Sequence, residues 1–73
     1  MKTLEISHEP IELYKVLKLE GLVSSGGAAK MEIADGRVLL NGKVETQKRK
    51  KIVSGDIIGY EDEKVLIRLR SIC

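Results

Sequence analysis

The stretch Gly36–Val44, GRVLLNGKV, decides the fold of this chain. Asn41-Gly42 stands between the apolar run Val38-Leu39-Leu40 and Lys43-Val44. A two-residue Asn-Gly connection is the strongest short-range hairpin signal, because a type I′ turn needs positive φ at both central residues. A strand pair therefore lies in the middle of the chain, and the rest must be arranged around it.

Downstream, everything reads as strands. Ser54-Gly55-Asp56 makes a second turn before Ile57-Ile58-Gly59-Tyr60, and Glu61-Asp62-Glu63 makes an acidic tip before Lys64–Leu69. In that last run Val65, Ile67 and Leu69 alternate with Leu66 and Arg68, as in a half-buried strand. Upstream, the pattern is helical. Gly36 after Asp35 is a C-terminal stop for a helix opened by Ser24-Ser25-Gly26-Gly27, in which a serine can cap the first turn. Ala28, Ala29, Met31, Ile33 and Ala34 form its apolar side, with Lys30 and Glu32 directed outward. Before it, Gly21 stops a helix of roughly ten residues that starts with Pro10 at its first position. Ile11, Leu13, Tyr14, Val16, Leu17 and Leu19 give that helix an apolar stripe, with Glu12, Lys15 and Lys18 opposite. Met1–Ser7 alternates enough for a short edge strand. The expected architecture is α+β, with two N-terminal helices packed on a small, mainly antiparallel sheet.

At 73 residues the chain makes one domain, spanning residues 1–73. A core of this size supplies only about 3–5 kcal/mol of net stability. A single cysteine, Cys73, excludes an internal disulfide, and with no His nearby it is read as a bystander. The absence of a leader-like segment and of a long apolar run predicts a soluble cytoplasmic protein with no membrane contact. Charge is unevenly distributed. Arg37–Lys51 holds six Lys or Arg against one Glu, hence +5, while the whole chain is +2, so the remainder carries −3. A folded segment with such an excess, ending in Lys48-Arg49-Lys50-Lys51, has the electrostatic character of a nucleic-acid binder, although a solvated loop would carry the same residues. Phe and Trp are absent, and Tyr14 and Tyr60 are the only aromatic residues. Modules that stack bases on aromatic platforms are thereby excluded, leaving recognition through phosphates and shape.

The order of these parts resembles the S4 domain, an RNA-binding domain. The parts are Leu13 and Leu17, Gly21-Leu22, Ser24-Ser25, Ala29-Lys30 with Ile33, Gly36–Val44, and Gly55-Asp56; together they cover about two-thirds of the chain. "LKLEGL" (Leu17–Leu22), "SGGAAK" (Ser25–Lys30) and the Val44–Ile52 segment are similar to the small stand-alone bacterial members of the YaaA/YbcJ type. The resemblance implies the S4-like (αL) fold and binding of structured RNA, with ribosomal RNA one candidate. Two places where many family members carry Arg hold Glu12 and Gly26 here. This departure implies a binding face shifted toward the Gly-Gly turn and the Lys48–Lys51 block.

Ser25, Gly26, Gly27 and Lys30 make a candidate phosphate seat. A helix start offers unpaired N–H groups and positive dipole, the glycines leave them accessible, and Lys30 adds a charge about one turn on. The plainer reading is a capping serine with glycines that permit close packing. Arg37 begins the strand after the second helix and is expected to share a face with Lys30. Asn41 is primarily a turn residue and secondarily an RNA contact. Lys43, Lys48, Arg49, Lys50 and Lys51 can follow a phosphate backbone without reading bases. Lys15 and Lys18 would extend the patch along the first helix, or serve only as its solvated side. His8 has no partners at metal-ligand or catalytic spacing, and no P-loop, nucleophile elbow or Cys/His pattern occurs. The expected protein is a non-enzymatic, monomeric RNA binder with no cofactor or metal, whose partners are RNA and ribosome or ribosome-assembly factors. The alternative is a module that docks an acidic protein, such as a ribosome-associated factor.

Overall fold

The computed structural model describes residues 2–70. The elements are β1 (Lys2–Ile6), β2 (Ile11–Glu12), α1 (Leu13–Leu19), α2 (Gly26–Ala34), β3 (Val38–Leu40), β4 (Lys43–Val44), β5 (Lys51–Ile52), β6 (Ile57–Tyr60) and β7 (Glu63–Leu69). Five strands form one sheet in the order β1-β7-β6-β3-β4, and β2 pairs with β5 in a separate antiparallel ladder. All pairings in the larger sheet are antiparallel except that of β1 with β7, which is parallel. The α+β expectation, with β1 at a sheet edge, matches this arrangement. The Cys73 reading falls outside the described residues.

The central hairpin forms as its turn residues demand. Asn41 and Gly42 have φ of 53° and 87°, and Leu40 pairs with Lys43 across the turn. Both helices end in the same left-handed glycine device. After α1, Gly21 N–H donates to the Lys18 carbonyl and Leu22 N–H to that of Leu17. After α2, Gly36 N–H donates to Ile33 and Arg37 N–H to Glu32. These bonds satisfy carbonyls that a helix end otherwise leaves without partners.

One core joins the helices to one face of the sheet. Leu13, Val16 and Leu17 come from α1, Ala29 and Ile33 from α2, Ile52 from β5, and Ile6, Val38, Ile58, Tyr60, Val65 and Ile67 from the sheet. The helical stripes are narrower than the sequence pattern suggests. Leu19 is 62% and Met31 is 68% exposed. Met31 stands about 200° around the helix from both Ala29 and Ile33, so it faces solvent when they face the core. Glu32, expected to point outward, is instead half-buried against Tyr60.

The start of α1 also differs. Pro10 is not its first residue, and the helix has seven residues rather than about ten. Ile11 and Glu12 are extended and pair with Ile52 and Lys51. That ladder claims their backbone groups, so the helix can begin only at Leu13. Its first N–H groups, from Leu13 and Tyr14, donate to the carbonyls of Lys50 (2.9 Å) and Lys48 (3.2 Å).

Candidate nucleic-acid interface

The basic block is part of the framework, through its backbone. Lys48 and Lys50 supply the carbonyls that receive the first N–H groups of α1, and Lys51 is the register partner of Glu12. The side chains are left for other duties. Those of Lys48, Arg49 and Lys51 are exposed and that of Lys50 is half-buried. Among the described residues Lys48, Lys50 and Lys51 form no ion pair, whereas Arg49 Nε lies 3.7 Å from Glu12 Oε2. Glu12 Oε1 lies 3.5 Å from Lys15 Nζ and accepts from the Tyr14 hydroxyl at 3.5 Å. Lys18 is exposed in the last turn of α1, where a cation suits the negative end of the helix dipole.

Ser25 caps α2, as expected: its Oγ accepts from Ala28 N–H at 3.1 Å, and its carbonyl accepts from Ala29 N–H at 3.0 Å. Gly26 and Gly27 N–H have no protein partner among the described residues. Neither glycine has positive φ. A Cβ on Gly26 would stand 3.7 Å from the Tyr14 ring, and one on Gly27 would stand 3.8 Å from Ser25 Oγ. Both are ordinary contacts, so backbone strain does not require glycine at either place. Lys30 Nζ sits 4.7 Å from the centroid of the same Tyr14 ring, an arrangement the ring quadrupole favours.

Tyr14 therefore joins the two basic regions. Its ring meets Lys30 and borders Gly26, its hydroxyl meets Glu12, and its N–H meets Lys48. An apolar-stripe reading of the helix hides this role. The available signal is scarcity, since Tyr14 is one of two aromatic residues in the chain. Glu12, which the sequence pattern puts on the polar side of a helix, is the anion at the centre of the cluster.

The hairpin side is organised differently. Lys43 is exposed and, by its pairing with Leu40, lies on the helix-bearing face of the sheet. Arg37 Nε is 3.7 Å from Glu32 Oε2, and Glu32 Oε1 accepts from the Tyr60 hydroxyl at 2.5 Å. That hydrogen bond, with burial and the Glu32 charge, pushes the Tyr60 hydroxyl up to about 12. No hydrogen bond or ion pair among the described residues links Arg37 or Lys43 to Lys30 or to the Lys48–Lys51 block. Asn41 has already committed one donor and one acceptor site of its amide to the fold. Its Nδ2 donates to Asp56 Oδ1 at 3.1 Å and its Oδ1 accepts from Ile57 N–H at 2.9 Å. The turn reading of Asn41 thus accounts for its side chain as well as its backbone. His8 is exposed, with Nδ1 3.2 Å from Ser7 Oγ.

Comparison with known proteins gives a consistent result. The S4 domain family model matches residues 4–68. YbcJ of Escherichia coli, a protein named for RNA binding, is 45% identical over 60 residues, covering 82% of this chain and 86% of its own. RlbA of Bacillus subtilis, named for ribosome maturation, is 33% identical over 58 residues, covering 80% and 82%. The solution structure of Escherichia coli YbcJ, which is described as revealing an αL motif involved in RNA binding, superposes with a TM-score of 0.72 at 42% identity. It covers 93% of this chain and 87% of that one. These relatives are described by binding or maturation roles and not by an enzymatic reaction.

Proposed function

Because the chain belongs to the S4 domain family, we propose that it is a non-enzymatic RNA-binding protein that grips structured RNA by its phosphates and shape. One observation carries this reading. The Lys48–Lys51 backbone is held against the start of α1, while three of its four cationic side chains have no ion-pair partner among the described residues. A rigid backbone with uncommitted cations presents charge in a defined pattern and loses little entropy when a phosphate chain is laid on it. Lys18, Lys30 and Lys43, also outside any ion pair among the described residues, extend the set. Ser25, Gly26 and Gly27 provide a secondary phosphate seat beside Lys30 at the α2 start. Arg37 and Asn41 come second to these, since Arg37 Nε already faces Glu32 and one donor and one acceptor site of Asn41 already serve Asp56 and Ile57. Ribosomal RNA is the favoured target class, supported by the relative named for ribosome maturation. The protein is expected to act as a cytoplasmic monomer forming a single domain.

The test is fluorescence anisotropy with a structured RNA hairpin and a matched DNA duplex across a salt series. With roughly five phosphate contacts, log affinity should fall against log salt with a slope of about −3.5 to −4.5. RNA should bind more tightly than DNA. An affinity insensitive to salt, or no binding of either nucleic acid, would reject the mechanism and favour an acidic protein as the partner of this face.

A further inference from the structure

We propose that Glu12 is a built-in competitor for RNA phosphate, a resident anion that occupies Lys15 and Arg49 until the nucleic acid displaces it. The inference rests on the RNA-binding reading and concerns how that same face sets its affinity. Glu12 is the one acidic residue of the β2–β5 ladder. Its backbone pairs there with Lys51, so its carboxylate is anchored to the segment it neutralises. Its two oxygens divide the work: Oε2 lies 3.7 Å from Arg49 Nε, and Oε1 lies 3.5 Å from Lys15 Nζ. The Tyr14 hydroxyl donates to Oε1 at 3.5 Å and helps to orient it. Two cations about one anion, with a hydroxyl donor beside them, form a set of partners that would equally suit a phosphate oxygen pair.

Glu12 keeps about a third of its side-chain surface exposed, while Lys15 and Arg49 are 52% and 73% exposed. The pairs are therefore weak and solvent-screened, and an incoming phosphate can exchange for the carboxylate without a change of fold. The exchange has a consequence. Once the phosphates take Lys15 and Arg49, the single Glu12 carboxylate is left near the phosphate chain, so the face binds a polyanion less tightly than its count of cations predicts. Weakening of this kind penalises isolated anions most, because only a closely spaced phosphate array recovers the lost attraction.

The experiment compares the wild-type protein with Glu12→Gln by anisotropy against the RNA hairpin across a salt series. Asp62→Asn, at the acidic tip between β6 and β7, serves as a control of equal charge change. Glu12→Gln keeps the size of the side chain and its ability to accept from Tyr14. The expected result is binding about three- to tenfold tighter at low salt, with the log–log slope more negative by about one, and a much smaller gain for Asp62→Asn. Equal gains in the two variants would reduce the effect to net charge and overturn the proposal. Unchanged or weaker binding by a folded Glu12→Gln variant, while the wild type still binds with normal salt dependence, would overturn it and leave the RNA-binding reading standing. Failure of the wild type to bind RNA would remove both.

Discussion

Two corners of the molecule, both polar and both singled out by the sequence, divide their labour in opposite ways. At the Asn41–Asp56 corner the side chains hold the fold. Asn41 reaches Asp56 and Ile57, and Asp56 Oδ2 accepts from Val53 N–H at 3.0 Å. At the Lys48–Lys51 corner the backbone holds the fold, and most side chains are free of it. A charged segment can therefore be structural and available at once, provided the two duties fall on different atoms. Residue type alone does not tell the cases apart. What tells them apart is where each polar atom finds its partner.

The sharpest way to break this comparison is to neutralise Lys48, Arg49, Lys50 and Lys51 together with glutamine. The backbone bonds to α1 do not depend on those charges, so the variant should fold normally. Its affinity for an RNA hairpin should fall on the order of 100- to 1,000-fold at about 0.1 M salt, and the salt slope should shrink by about three. Circular dichroism alongside the binding curves checks both halves. A variant that unfolds would show that the side chains, too, carry structure.

The opposite result is expected at the other corner. Asp56→Ala removes acceptors for Val53 N–H and Asn41 Nδ2 and should cost about 1–3 kcal/mol. For a domain of this size each kcal/mol lowers Tm by roughly 4–8 °C. With about 3–5 kcal/mol to start from, the variant would be marginal but still folded in the cold. Its RNA affinity and salt slope, measured there, should stay within about twofold of the wild type, because no phosphate-facing charge is lost. A large loss of affinity in the folded variant would mean that Asn41 or its neighbours touch RNA directly.

Much of this division is legible in the amino-acid sequence, and the part that is not has a physical reason. Asn41-Gly42, Gly21, Gly36 and Ser25 are local devices whose chemistry depends on near neighbours in the chain, and each takes its expected place. The β2–β5 ladder is the contrary case. Two residues on each side carry no periodicity, and the partners lie far apart in sequence. Without that ladder, the pattern puts the start of α1 at Pro10 and gives Lys48–Lys51 no structural duty. The same gap hides the Tyr14–Lys48 and Glu12–Arg49 contacts, which arise only once β5 has been brought beside β2. The candidate cations are legible as a set, but not which of them the acids Glu12 and Glu32 already hold.

The α2 start offers a finer test, because there fold and binding should pull in opposite directions. Gly27→Ala adds a Cβ with only an ordinary contact to Ser25 Oγ, and it replaces the poorer helix former. Stability should rise by about 0.5–1 kcal/mol. If the unpartnered Gly26 and Gly27 N–H groups receive a phosphate, the same change should weaken RNA binding a few-fold, and Gly26→Val or Gly27→Val should weaken it more than it disturbs folding. Increased stability with unchanged affinity would confine these glycines to packing.

The smallest effect concerns Tyr60, which lies on neither corner and joins the helix layer to the sheet through Glu32. Its hydroxyl is raised from an ordinary value of 10.0 to about 12, first by the hydrogen bond to Glu32 and then by burial. A raised value in the folded state means that the folded protein holds this proton more tightly than the unfolded chain does. The resulting stability is fully present below pH 10 and is lost as the pH climbs from 10 toward 12. Tyr60→Phe removes the titrating group. It should lower Tm at neutral pH and flatten the alkaline decline between those values, while leaving RNA affinity unchanged. The pH dependence separates this bond from simple packing, since a phenyl ring in the same place retains the apolar contacts. An alkaline decline as steep in Tyr60→Phe as in the wild type would place its origin in another group and leave the Glu32 bond without a role in stability.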